Sequence, residues 1–194
     1  MQTRLEITHR GDVVRQIRAG EDRAQVLNLI ISRYGERLYW HLRRMVVLHE
    51  EAEDALQDTF VAAYNALDGF RGESEGSLIV WLYKIATNVA IKMLRRRRRS
   101  IFVSIDAVGA DLLADYETQI APDADEIAVR LQRAVVALPV KQKLVFNLRY
   151  YDELSFEDIS QATGMSVATL KVNYHYAVKR IKEQVTIFDY EEEQ

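Results

Sequence analysis

The sequence predicts an all-α protein built as two small helical domains joined by an acidic linker. Three observations carry this reading. Apolar residues make up 48% of the 194 positions and recur at intervals of three to four, the period of a helix with one buried face. Glycine and proline are scarce, at 8 and 2 residues, so few breakers interrupt that period. Charge falls in blocks. Residues 1–100 hold 17 basic and 13 acidic side chains, 101–127 hold none and 7, 128–186 hold 9 and 5, and 187–194 hold none and 4. The overall charge of −3 therefore hides two mildly basic units, and it is the local field of each that attracts or repels a polyanion. The expected organisation is an N-terminal extension 1–21, a first domain 22–100, an acidic linker 101–127, a second domain 128–186 and an acidic tail 187–194.

The elements follow in order. Residues 22–49 form a first helical region, with Val26, Leu27, Ile30, Ile31, Tyr34, Leu38 and Leu42 at helical spacing. Glu51 to Leu67 form a second helix. Phe70 to Ser77, with Gly72 and Gly76, read as a loop. Leu78 to about Arg97 form a long third helix that closes on five consecutive arginines, Arg95 to Arg99. Residues 101–124 contain Gly109 and Pro122 and show no period, as a linker would. Asp125 to Leu138 restart a helix, Pro139 interrupts it, and Lys141 to Tyr151 continue. Ser155 to about Val185 read as a helix-turn-helix, with Gly164 at the turn and Ser166 as N-cap of its second helix.

Composition also excludes classes of function. The chain has no cysteine, so a disulfide framework and a thiolate metal site are both unavailable, and a reducing cytoplasm is its natural compartment. No apolar run approaches the roughly 20 residues of a membrane span, and the N-terminus lacks the apolar core of a signal peptide. His49, Glu50, Glu53 and Asp54 crowd together, but no Glu-x-x-His repeat accompanies them. Neither a metal, a cofactor nor a small-molecule substrate is expected.

Three faces remain for function. At 100° per residue, Leu56, Phe60, Ala63 and Leu67 share one side of the second helix and belong to a core. Asp54, Gln57, Asp58, Val61 and Asn65 share the opposite side. That side is either a solvated polar face or a docking surface whose carboxylates bind a partner's arginines. On the third helix, Leu78, Leu82, Ile85, Ala86, Val89 and Met93 face inward, while Lys84, Asn88, Ile91 and Arg95 follow one outer stripe. One or two arginines would complement the helix dipole; five in a row point to phosphate neutralisation. In the helix-turn-helix, Leu170, Tyr174, Ala177 and Ile181 form the buried stripe, leaving Thr169, Val172, His175, Tyr176 and Lys179 outside and Lys171 at the margin. The outward N-terminal half of such a helix enters the major groove.

The chain resembles the extracytoplasmic-function (ECF) sigma factors of the sigma-70 family. Residues 29–99 resemble region two, through Arg33-Tyr-Gly-Glu-Arg-Leu-Tyr39, Ala52-Glu-Asp-Ala-Leu-Gln-Asp-Thr-Phe60, Leu67-Asp-Gly-Phe-Arg-Gly-Glu-Ser74 and Trp81-Leu-Tyr-Lys-Ile-Ala-Thr-Asn-Val-Ala90. Residues 130–184 resemble region four, through Ala137-Leu-Pro139, Leu148-Arg-Tyr150 and the helix-turn-helix. The resemblance implies a region-two helical bundle and a region-four helix-turn-helix. It implies that Asp54, Gln57, Asp58 and Phe60 grip the clamp helices of the largest subunit of core RNA polymerase. The Phe70–Ser77 loop, with Arg71, Glu73 and Ser74, would capture a base extruded from the −10 element. Lys84, Asn88, Lys92, Arg95 and Arg96 would meet the melted strand. Ser166, Thr169, Lys171, Val172, His175, Tyr176 and Lys179 would read the −35 duplex, with Val172 favouring apolar contact to thymine methyls.

The implied mechanism is promoter-specific initiation without bond chemistry by this chain. The acidic linker would thread the polymerase's RNA path as a transcript mimic, or serve as a flexible tether. An anti-sigma factor, sometimes held at the inner membrane, is the further partner the resemblance implies. The rival reading is a helix-turn-helix regulator that acts without docking to polymerase, in which the Asp54/Gln57/Asp58 face and the arginine run have no role.

Overall fold

The computed structural model describes residues 12–100, 113, 116 and 125–191. Every regular element among them is helical. The order is α1 (Val13–Ala19), α2 (Arg23–Val46), α3 (His49–Ala66), a 3₁₀ turn (Leu67–Gly69), α4 (Glu75–Ser100), α5 (Glu126–Val136), α6 (Val140–Phe146), a π-helical turn (Asn147–Tyr151), α7 (Phe156–Thr163) and α8 (Val167–Glu191).

Local chemistry sets the boundaries. Asp22 accepts from the amides of Ala24 and Gln25 at 2.9 and 3.0 Å, which starts α2. Asp125 starts α5 through the Ile127 amide, Ser155 starts α7 through Asp158, and Ser166 starts α8 through Thr169. Gly164 ends α7 at φ 74°, the left-handed conformation that glycine adopts without a Cβ penalty.

The first half is a bundle of α2, α3 and α4, whose facing residues Ile30, Leu38, Leu42, Ala52, Ala55, Leu78 and Leu82 are fully buried. The second half wraps α5, α6 and α7 around α8. The two halves share one core: Leu144, Val145, Leu148, Ile159 and Leu170 belong to the same buried cluster as the bundle. Leu113 and Tyr116 pack half-buried against it. The other residues of 101–124 lie outside the described part, as does the end of the acidic tail at 192–194.

Four expectations change. The 1–21 extension contains α1, whose Val13 and Val14 are buried on the bundle. The loop expected over Phe70–Ser77 is shorter, because α4 begins at Glu75. Ser74 and Ser77 cap that start reciprocally: the Ser77 amide donates to Ser74 Oγ and the Ser74 amide donates to Ser77 Oγ, both at 3.1 Å. Lys141–Tyr151 is not one uniform helix but α6 followed by the π-helical turn. Finally, Glu75–Arg97 is long and apolar enough to cross a membrane by length and composition, contrary to the expectation that no such segment exists. Its packing accounts for the composition: Leu78, Leu82, Tyr83, Ala86 and Ala90 are fully buried in the bundle, while Lys84, Asn88 and Lys92 punctuate the outer face.

Candidate nucleic-acid interface

The α3 face is built by helical phase alone. Asp54, Gln57 and Asp58 are exposed, continued by Asn65 and by Val61 at 61% exposure. Phe60 lies on the other side and is buried. A Cβ placed on Gly35 of α2 would stand 3.8 Å from its ring. Phe60 therefore supports this face from behind and presents no surface to a partner in this conformation.

The outer stripe of α4 carries Lys84, Asn88, Lys92, Arg95 and Arg96, all exposed. Lys84, Lys92, Arg95 and Arg96 have no carboxylate partner among the described residues, so their charge is available to phosphates. Arg97 differs. It is half-buried and pairs with Glu51 of α3 at 3.4 Å, which ties the end of α4 to the bundle. The side chains of Arg98 and Arg99 lie outside the described residues.

The segment before α4 is more tightly organised than its glycines suggest. Arg71 is exposed and donates to the carbonyls of Asp68 and Phe70, which curls the chain. Gly72 is required by close approach: a Cβ there would meet Ser77 Oγ at 2.3 Å and the Phe70 ring at 2.4 Å. Glu73 pairs with Arg18 of α1 at 2.9 Å, and Ser74 is engaged in the cap of α4. Glu75 accepts from the Val13 amide and from Arg33, both at 3.1 Å, and from the Tyr34 hydroxyl. One carboxylate thus joins α1, α2 and the N-terminus of α4, where the helix dipole favours it. Sequence reasoning missed Arg18 and the bracing by α1. Asp12 as N-cap and Gly20 as left-handed stop were the available signals.

On α8 the inward stripe is Leu170, Ala177 and Ile181, with Tyr174 half-buried beside them. Thr169, Lys171, Val172, His175, Tyr176 and Lys179 are exposed. Val172 and Tyr176 stand 54% and 50% exposed, an apolar strip flanked by His175. Lys171 lies over the Phe156 ring of α7, with its ammonium 5.9 Å from the centroid. Ser166 Oγ is occupied by the cap and by the Thr169 hydroxyl at 2.9 Å, so Ser166 orients the helix start.

Comparison with known proteins places the chain in a family. Residues 30–100 match the family model of sigma-70 region 2, and residues 128–181 match that of sigma-70 region 4. The chain belongs to the ECF sigma factors of the sigma-70 family. It is 28% identical to the ECF RNA polymerase sigma factor SigW of Bacillus subtilis, over 89% of this chain and 94% of that one. It is 30% identical to the ECF RNA polymerase sigma-E factor of Haemophilus influenzae, over 89% and 93%. Its fold matches that of the sigma factor RpoE solved in complex with the anti-sigma factor NepR from Bartonella quintana, with TM-score 0.62 and 21% identity over 81% of this chain and 94% of that one. As a sigma factor, this chain binds core RNA polymerase and directs promoter-specific initiation.

Proposed function

We propose that this sigma factor divides its work among the three faces described. Asp54, Gln57 and Asp58 on α3 dock onto the clamp helices of core polymerase through charge-assisted hydrogen bonds to basic side chains. The exposed half of α8 then reads the −35 element in the major groove, where Val172 and Tyr176 favour thymine methyls and His175 and Lys171 contact polar edges and phosphates. The α4 stripe, Lys84, Asn88, Lys92, Arg95 and Arg96, receives the −10 strand after melting, with Arg71 at the mouth of the preceding loop. Glu73 and Ser74 act on that strand indirectly, by holding the loop. Extruding a base costs a few kcal/mol, offset by capture and by phosphate contacts. The chain makes and breaks no bonds; the chemistry is the polymerase's. Its place of work is the cytoplasm, and an anti-sigma factor is its expected antagonist.

The observation that carries this reading is the row of cations without carboxylate partners on α4 in the same chain as an exposed recognition helix on α8. A duplex-binding regulator would need only the second. The docking face is tested with Asp54→Arg/Asp58→Arg protein and core polymerase in a gel-filtration assay. Loss of the holoenzyme peak with unchanged helicity is the expected result; an unchanged peak rejects the face.

A further inference from the structure

Between α1 and the chain leading into α4 lies a cavity of about 390 Å³ that shares only Arg71 with the residues assigned to DNA above. Its floor is apolar. Ile17 of α1 is half-buried there, and Leu67 and Phe70 are buried, the Phe70 ring resting against Trp81 with 5.3 Å between centroids. Its rim is rich in cations. Arg18 comes from α1, Arg23 from the first turn of α2 and Arg71 from the segment before α4, and all three are exposed. Gly20 brings the first two to one mouth, because at φ 70° it ends α1 and turns the chain toward α2. A Cβ at Gly20 would meet nothing within 4 Å, so the turn and not a lack of room asks for glycine.

An apolar floor under a ring of guanidiniums suits a nucleotide, with the base against the floor and its phosphates on the rim. The volume falls within the roughly 300–1,000 Å³ of small-molecule sites. The rim charge is within a phosphate's reach. Arg71 donates to the backbone carbonyls of Asp68 and Phe70 and has no carboxylate partner among the described residues. Arg18 pairs with Glu73 at 2.9 Å and Arg23 pairs with Asp68, but each uses one terminal nitrogen of a guanidinium that carries several more donors. Both pairs are exposed, and such pairs exchange at little cost. Glu21 and Asp68 also stand on the rim and oppose a bare anion. The favoured ligand therefore brings an apolar ring together with its phosphates. A base inside a duplex is stacked and paired, so only an unpaired strand can present one to this floor.

We propose that this cavity is a second nucleobase site for the melted strand, additional to the base captured by the loop before α4 and filled by another base of the same strand. Ile17 and Phe70 contact the ring, and Arg18, Arg23 and Arg71 take the neighbouring phosphates. Helix α1 then belongs to the promoter-opening apparatus and does more than brace the loop. Each base held this way offsets part of the cost of unstacking it. The inference rests on the reading of α4 and its preceding loop as the receiver of the −10 strand.

The test uses holoenzyme of the full-length chain and a promoter duplex whose −10 element is left single-stranded, with an abasic nucleotide placed at one position at a time. Wild-type holoenzyme should lose affinity about tenfold wherever the missing base is held. Ile17→Trp fills the cavity. It should weaken binding of the intact DNA about tenfold and erase the abasic loss at one position, while Gly72→Ala, which disturbs the loop, erases it at a different one. Ile17→Trp protein of native helicity that keeps every loss overturns the proposal, as does erasure at the same position by both variants. Should Ile17→Trp not fold, Arg18→Ala/Arg23→Ala decides. Removing two phosphate contacts must lower the slope of log affinity against log salt by about 1.4, which a merely structural role would not move; an unchanged slope overturns the site. Lys84→Ala/Lys92→Ala tests the underlying reading separately: unchanged affinity there rejects the α4 stripe, and the abasic scan still decides the cavity.

Discussion

Lys143 offers a prediction that can be worked through quantitatively. Burial is the larger cause, and the Arg97 charge the smaller, of a fall in its pKa from 10.5 to about 7. The folded state therefore disfavours the ammonium that the unfolded chain carries freely. Between pH 7 and 10.5 the unfolded chain binds the extra proton, so stability rises with pH across that window and is lowest at and below pH 7. Integrating over pH 7 to 9.5, below the range in which tyrosines ionise, gives a gain on the order of 3 kcal/mol. Lys143→Met keeps the volume of the side chain and removes the titration. It should be more stable than wild type at pH 7 by a similar amount, and its profile should be flat. Urea unfolding followed by circular dichroism at pH 7.0, 8.0 and 9.5 reads both. Parallel profiles for the two proteins would refute the reasoning, because they would mean that Lys143 is solvated or paired in the folded state.

Two further predictions concern the faces proposed to read DNA. His175→Ala/Tyr176→Ala removes exposed α8 side chains with no buried contact, so helicity and holoenzyme formation should persist while discrimination against −35 base changes falls by about 1–3 kcal/mol per position read; competition binding of holoenzyme to matched and mutated promoters measures it. Gly72→Ala forces a Cβ into Ser77 Oγ and the Phe70 ring, so the loop must move; permanganate footprinting of the −10 region should show reduced opening, with −35 contacts intact.

Much of this architecture was legible because it follows from periodicity. The outward positions Asp54, Gln57 and Asp58 and the inward positions Leu56, Phe60 and Ala63 are a consequence of 100° per residue, as is the exposed strip on α8. Phe60 shows where the two kinds of reading diverge: helical phase placed it inside, resemblance placed it in the docking surface, and packing against Gly35 decides for the interior. The loop before α4 was overextended because Glu75, Gly76 and Ser77 read as breakers. What makes them helical is the reciprocal Ser74/Ser77 cap and the dipole-favoured Glu75, whose partners Val13, Arg33 and Tyr34 are distant in sequence. The burial of Asp152 against Arg37, His41 and Arg44 of α2 was illegible for the same reason. Its donors lie more than a hundred positions away, and no local pattern distinguishes an aspartate bound for a buried cluster from one bound for solvent.

The most direct test of the central claim is run-off transcription by core polymerase on a pool of genomic fragments, with sequencing of the transcript starts. Adding this chain should create a discrete set of starts that share −35 and −10 sequences and vanish with the Asp54→Arg/Asp58→Arg variant. A start distribution unchanged from that of core polymerase alone would contradict the account.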